Sequence, residues 1–328
     1  MNEHPVSISC VVPAYNEAAN LPRLIAQLTE QLSALSPTWE IILIDDGSTD
    51  QTRQVLADYE THPGLVVLYF SRNFGKEAAL SAGLDRARGD VCFFMDADLQ
   101  HPVELMPRML QAWRDGAQMV YLVRENRDDE PFWKRWGSTL LYRLINFGSP
   151  VQVPEDASDF RLLDQRVVAA LRALPERNRF MKGLYAWVGF RTLALPYTPA
   201  PRLHGKSHFS GRRLMNLALT GLTAFSNMPL RLWSVFGFVL ATLAIGYGAF
   251  VTLAYFIDQR PVAGWTTIVA GLMLFSGIQL ISVGILGEYL GRVYDEVKQR
   301  PRYIVDEQID NSAIAHRPEN GTDPRHGV

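Results

Sequence analysis

The sequence predicts an α/β protein, a mostly parallel sheet flanked by helices, followed by a two-helix transmembrane hairpin. Three observations carry that expectation. From residue 8 to residue 123, apolar strand-like runs alternate with segments of helical period, the pattern of successive strand-helix-strand units. Three of the first four such runs stop in acidic loops, at residues 13–17, 45–48 and 96–98. In the last third lie two uncharged runs, each long enough to cross a hydrocarbon core, which takes about 20 apolar residues.

The elements follow in order. Residues 8–13 form the first strand, and 15–17 lead into a helix with Leu21, Leu24, Ile25, Leu28 and Leu32 at helical spacing. Residues 40–44 form the second strand; in the loop beyond it Ser48 or Asp50 can cap the helix that carries Val55 and Leu56. The third strand, 65–70, ends in Ser71-Arg72-Asn73-Phe74-Gly75-Lys76, and its helix runs through Ala78, Ala79, Ala82 and Leu84 to stop at Gly89. The fourth is a buried strand that ends at Asp96-Ala97-Asp98-Leu99-Gln100-His101-Pro102, and a fifth spans 119–123.

In a parallel sheet the carboxyl ends of the strands converge on one crevice, so the acidic loops should gather there. Asp96, Asp98 and the amide oxygen of Gln100 are hard oxygen donors, suited to Mg²⁺ or Mn²⁺ and not to zinc, and such an ion would bind a diphosphate. No Gly-x-Gly-x-x-Gly follows the first strand, which disfavours a dinucleotide cofactor. Gly205-Lys206-Ser207 lacks the first glycine of a phosphate loop, where Ala200 stands. A net charge of −2 suggests no nucleic-acid partner. Cys10 and Cys92, the two cysteines, sit in apolar runs and are expected to be buried thiols in a reducing compartment. The first apolar run has no basic region or cleavage site before it, so the N-terminal part is expected to be cytoplasmic.

Beyond the fifth strand, Phe132-Trp133-Lys134-Arg135-Trp136 with Leu140, Leu141, Leu144, Ile145 and Phe147 has the composition of a helix at a membrane interface, about 132–148. A second amphipathic stretch, 211–229, starts at Arg212-Arg213. Spans are expected at about 230–256 and 264–287. Arg212, Arg213 and Arg231 precede the first, and Arg292, Lys298, Arg300 and Arg302 follow the second. Both flanks should therefore be cytoplasmic. Gly246, Gly248, Gly271 and Gly277 offer small-residue surfaces for self-association. The organisation expected is a cytoplasmic α/β domain (1–210), the juxtamembrane helix (211–229), the hairpin (230–290) and a cytoplasmic C-terminal segment (291–328), disordered from about Asn311.

Val11-Val12-Pro13-Ala14-Tyr15-Asn16-Glu17, Ile44-Asp45-Asp46-Gly47-Ser48-Thr49-Asp50, the 71–76 segment and the 96–102 segment together resemble family 2 glycosyltransferases of the GT-A fold. More narrowly they resemble the polyprenyl-phosphate glycosyltransferases, which include dolichol-phosphate mannose synthase and the bactoprenol (undecaprenyl-phosphate) glucosyltransferases. The likeness continues through Ser158-Asp159-Phe160-Arg161, residues 176–183 and residues 287–292, and fades after about Asp306.

The resemblance implies an enzyme of the bacterial inner membrane that moves a hexose, expected to be glucose, from a UDP-sugar to undecaprenyl phosphate. GDP-mannose or a UDP-modified arabinose is the alternative donor, and a non-catalytic sugar-nucleotide-binding protein the alternative class. By resemblance Pro13, Tyr15, Glu17 and Asp46 hold the nucleoside, with Arg72 and Lys76 nearby and Asp96 and Asp98 on the metal and diphosphate. Arg124, Lys134, Arg135 and Ser138 would contact the lipid phosphate, and Arg202 and Ser207 belong to a loop that folds over the site. His208 and Phe209 stand in that loop where the family has Lys and Tyr. Phe132 stands where a processive synthase would have Gln before Arg135-Trp136, which counts against a polymerase. Asp159 matches a general base. A phosphate monoester with a second pKa of about 6 needs little deprotonation, however, so Asp159 is expected to orient acceptor-side cations through Arg161 or Arg202.

Overall fold

The computed structural model describes residues 5–124, 146, 157–177, 179–197, 233, 235–244, 246–247, 250, 253 and 264–314. They fall into two compact units, one of residues 1–142, 151–210 and 301–328, the other of 143–150 and 211–300. The first unit holds an eight-stranded sheet in the order β7-β5-β6-β4-β1-β2-β3-β8. Its strands are β1 (Ile8–Ala14), β2 (Trp39–Asp45), β3 (Leu65–Phe70), β4 (Val91–Phe94), β5 (Met119–Arg124), β6 (Ala157–Asp164), β7 (Thr192–Tyr197) and β8 (Val305–Asp310). The helices are α1 (Leu21–Leu35), α2 (Thr52–Ala57), α3 (Lys76–Arg86), α4 (Met106–Arg114), α5 (Gln165–Ala173) and α6 (Met181–Trp187).

β1 and β3 are buried along their whole length, as expected of central strands covered on both faces. β2, β1 and β4 pair in parallel, and β3 extends the set beside β2. Pro13 interrupts no ladder, because β1 and β4 stop pairing at Val11↔Phe94 and the missing N–H would point past that end. α1 lays Leu21, Leu24, Ile25, Leu28 and Leu32 on the sheet, a burial that contributes about 1.5–3 kcal/mol per side chain. It stops at Ser36, whose N–H bonds Leu32 O and whose hydroxyl bonds Val6 O. Gln51, and neither Ser48 nor Asp50, is the N-cap of α2; Asp50, one residue earlier, accepts from Thr52 N at 2.9 Å. Both cysteines are buried.

Two strands depart from simple alternation. β6 runs antiparallel between β4 and β5, and β8 runs antiparallel along β3. β8 corrects the expectation that the chain is disordered from about Asn311: Asn311 N bonds Leu65 O, Ser312 Oγ bonds buried Glu40, and Ile314 is 8% exposed. The tail beyond residue 314 lies outside the described residues.

In the second unit, helical α7 (Val235–Ala244) covers part of the first expected span. α8 (Trp265–Val297) runs 33 residues, ten beyond the expected end at 287. Its stretch Gly271–Val297, with mean hydropathy 1.5, is long and apolar enough to cross a membrane by length and composition. Trp233 Nε1 donates to Ser282 Oγ, joining the first apolar segment to α8. The interfacial helix at 132–148, apart from Asn146, and the juxtamembrane stretch 211–229 lie outside the described residues.

Candidate active site

Because β1 to β4 are parallel, Ala14, Asp45, Phe70 and Phe94 finish at one edge of the sheet. β6 enters from that edge in the opposite direction, pairing Arg161 with Phe94. Carried two residues further, this register sets Asp159 across from Asp96. Lys76, the first residue of α3, bridges them: its Nζ lies 2.5 Å from Asp96 Oδ1 and 2.5 Å from Asp159 Oδ2. From α6, Lys182 reaches Asp159 Oδ1 at 3.5 Å and donates to Ala157 O at 3.1 Å.

These charges set one another's protonation. Burial opposes the negative charge on Asp159, but Lys76, Lys182 and Arg161 outweigh it and hold the carboxyl well below the usual range. Burial likewise opposes the charge on Lys76, and Asp159 and Asp96 hold its ammonium well above the usual lysine range. Beside it, burial raises Glu77 to about 7, against the amide of Met181 that donates to its Oε2 at 3.0 Å. Arg161 lies with its guanidinium against the rings of Tyr185 and Tyr121, at 4.5 and 5.2 Å.

The loops after β1, β2 and β3 interlock beside this cluster. Asn16, in the left-handed region at φ 58°, donates its N–H to Ser48 Oγ and accepts from Thr49 N at 2.8 Å. Tyr15 is 44% exposed at the mouth, open to stack on a ligand. Burial raises the Glu17 carboxyl, an Asn20 hydrogen bond opposes that, and Asp98, Asp96 and Asp50 add to it. Asp46 gives one oxygen to Phe74 N at 2.7 Å and the other to Gly75 N at 2.9 Å. Burial pushes the Asp46 carboxyl up against those two bonds. A second lone pair remains on each oxygen for a ligand. The Arg72 guanidinium covers the Phe74 ring at 3.9 Å. Gly47 makes the crossing of the two loops possible: its φ is +64°, and a Cβ there would lie 2.3 Å from the carbonyl carbon of Arg72.

Past β4, the chain turns at Leu99 with φ 58°, and Gln100 N donates to Asp98 Oδ1 at 3.2 Å. His101 Nε2 lies 2.7 Å from Ser158 Oγ, fastening this turn to β6. Among the described residues no three His, Cys, Asp or Glu side chains group into a preformed metal cage. Two carboxylates on one turn nevertheless fit Mg²⁺ or Mn²⁺, which take one or two carboxylates and complete their shell with substrate phosphate and water. Asp96 and Asp98 are the side chains that would hold it, with Gln100 beside them.

Of the expected residues, Pro13, Tyr15, Glu17, Asp46, Arg72, Lys76, Asp96, Asp98, Gln100 and Asp159 lie on elements or loops that meet this edge. Arg124 ends β5, which runs parallel to β4 and so reaches the same edge. Lys134, Arg135, Ser138, Arg202 and Ser207 lie outside the described residues. Asp159 pairs with Lys76 and Lys182; Arg161, one of the two expected partners, adds to the positive field on its carboxyl, and Arg202, the other, lies outside the described residues. Sequence reasoning missed Lys182 and Glu77. Lys182 sits in the 176–183 stretch already noted, but only the fold brings that stretch under β6.

Residues 9–172 match Glycosyl transferase family 2. An uncharacterized glycosyltransferase of Synechocystis is 42% identical over 301 residues, covering 92% of this chain and 95% of that one. A prophage-derived bactoprenol glucosyl transferase of Shigella flexneri is 41% identical, covering 92% and 97%. A prophage bactoprenol glucosyl transferase homolog of Escherichia coli is 42% identical, covering 92% and 98%. By the family match over half its length and these identities over nine-tenths of it, this chain belongs to glycosyl transferase family 2 and is a glycosyltransferase.

Proposed function

We propose that the chain transfers glucose from UDP-glucose to undecaprenyl phosphate, inverting the anomeric carbon and releasing UDP. The observation that carries the reading is the Asp96-Lys76-Asp159 bridge, which joins the carboxylate expected on the donor side to the one expected on the acceptor side; with Lys182 the four charges cancel, so a divalent ion would supply the positive charge for two anionic ligands. Glucose as the sugar and bactoprenol as its acceptor are taken from the relatives named bactoprenol glucosyl transferases, and UDP as the carrier from the motif resemblance. GDP-mannose or a UDP-modified arabinose is the competing donor.

An oxygen of the lipid phosphate attacks the anomeric carbon as the bond to UDP breaks, and the electron pair leaves on the UDP oxygen. With the acceptor a dianion, no proton has to be removed. A divalent ion held with the diphosphate would stabilise charge on the departing UDP. Lys76, held between Asp96 and Asp159, is placed to donate to the diphosphate when an ion takes over Asp96. Asp159, ionised and held between two lysines, is poorly matched to a base at neutral pH and well matched to orienting Lys76 and Lys182.

The chain is further proposed to sit in the bacterial inner membrane, catalytic domain cytoplasmic, with two spans at about 230–256 and 264–287. The apolar α8 and the Trp233–Ser282 bond support this hairpin. Gly246, Gly271 and Gly277, where an added Cβ would meet nothing within 4 Å, support self-association of the spans.

The test is UDP release by the purified protein in lipid nanodiscs. Release from UDP-glucose should depend on undecaprenyl phosphate. Equal release without the lipid, or none with it, would refute the assignment.

A further inference from the structure

The segment that follows α8 returns to the first unit, and its contacts end at the loop assigned to the donor. Arg88 ion-pairs with Asp310 and lies 3.6 Å from buried Glu40. From Asp310 the strand pairs along β3 to Val305↔Phe70, and Ser71 N donates to Ile304 O at 3.1 Å, one step into the loop. Tyr303 then lies flat on Phe70, ring centroids 5.1 Å apart and planes 10° apart. Phe70 in turn meets Phe74 edge-on at 5.7 Å. Phe74 is the residue whose N–H binds Asp46 and whose ring carries Arg72. The Tyr303 hydroxyl donates to Asp85 Oδ2 at 2.9 Å, on the helix that begins with Lys76.

The 71–75 loop is thus clamped from two sides. Asp46 and Gly47 hold it from β2, and three rings in series hold it from the C-terminal segment. We propose that Tyr303 is a positioning residue for nucleotide binding, acting through Phe70 and Phe74 on the Arg72 to Lys76 segment. The proposal rests on the reading of that segment as the donor loop. It gives the chain beyond α8 a part in donor affinity, at a distance from the reacting atoms.

Calorimetric binding of UDP in the presence of Mn²⁺ to the full chain in nanodiscs tests it. Removing one aromatic partner should weaken UDP binding about 5- to 10-fold in Tyr303→Ala. Tyr303→Phe keeps the ring and should bind within about twofold of the parent. In turnover, Tyr303→Ala should raise the donor KM and leave kcat near its starting value. Should Tyr303→Ala not fold, Tyr303→Leu covers Phe70 without a flat face and reads the same quantity. Unchanged UDP affinity in Tyr303→Ala or Leu, with Arg72→Ala weakened, overturns the role of Tyr303 and leaves the donor loop standing. Unchanged affinity in Arg72→Ala overturns the donor-loop reading and this proposal with it. If the parent binds GDP and not UDP, the donor assignment fails while the same variants, read with GDP, still decide the role of Tyr303.

Discussion

Gly47→Ala tests how tightly the donor-side loops are set. At φ +64° an alanine costs about 1 kcal/mol in backbone strain alone. Its Cβ would lie 2.3 Å from the carbonyl carbon and 2.6 Å from the nitrogen that join Arg72 to Asn73, and these are backbone atoms with no rotamer to escape into. Ordinary contact begins at 3.4 Å, so the 72–73 peptide must retreat by more than an ångström. Forcing such room in packed structure adds about 1–3 kcal/mol. The total loss should be about 2–4 kcal/mol in denaturant unfolding. A displacement of 1 Å in a positioning loop can cost about 100-fold in rate, so kcat/KM for the donor should fall on that order. Gly64→Ala is the control, with φ +79° and a Cβ 2.6 Å from the movable Trp39 ring, at the opposite edge of the sheet. It should destabilise the fold and leave nucleotide affinity intact. If Gly47→Ala binds nucleotide as well as Gly64→Ala does, the loops are not coupled as described.

Further expectations follow from the charges. Asp98→Asn should lower turnover by about 100-fold, the scale for losing one preorganised charge contact, and full activity in excess EDTA would contradict a divalent requirement. Glu77, raised from 4.5 to about 7 in the folded protein, contributes stability that is complete below pH 4.5 and lost as pH rises through 7. Glu77→Gln should therefore remove up to about 3 kcal/mol of the stability lost between those values, read as a flatter pH profile of unfolding; an unchanged profile would place the titration elsewhere. Asp159→Asn should weaken lipid-phosphate binding while the pH dependence of turnover keeps its shape, whereas normal binding with rate recovering steeply at high pH would make Asp159 the base. A cysteine at Gln259 should react with an impermeant thiol reagent in spheroplasts and one at Gln299 should not; the reverse pattern would invert the topology.

Much of this site was legible because parallel strands impose geometry. Once residues 8–13, 40–44, 65–70 and 91–95 read as strands joined by helices, their carboxyl ends had to share an edge, and Asp46, Lys76 and Asp96 came with them. What could not be read is pairing between distant segments. β6 carries Asp159, Arg161 and Asp164 along one strand, so its composition hides a place beside β4 that only the antiparallel register reveals. β8 looks like a solvated tail for a related reason. As an edge strand it turns Asp306, Glu307 and Gln308 to water, where they meet Arg53 and Arg86, and only Ile309 packs toward the core. Lys76 was found as a neighbour of the donor, but its bridge between Asp96 and Asp159 is a property of three elements at once.

The most direct measurement of the central claim is a transfer assay in which the purified protein meets undecaprenyl phosphate and a panel of labelled UDP- and GDP-sugars, with label followed into the lipid fraction. The account predicts that glucose from UDP-glucose enters the lipid, and that Asp98→Asn lowers this transfer by about 100-fold while leaving the protein folded. Label entering from GDP-mannose with none from UDP-glucose would contradict the donor assignment, and UDP-glucose consumed with no label in the lipid would contradict the acceptor.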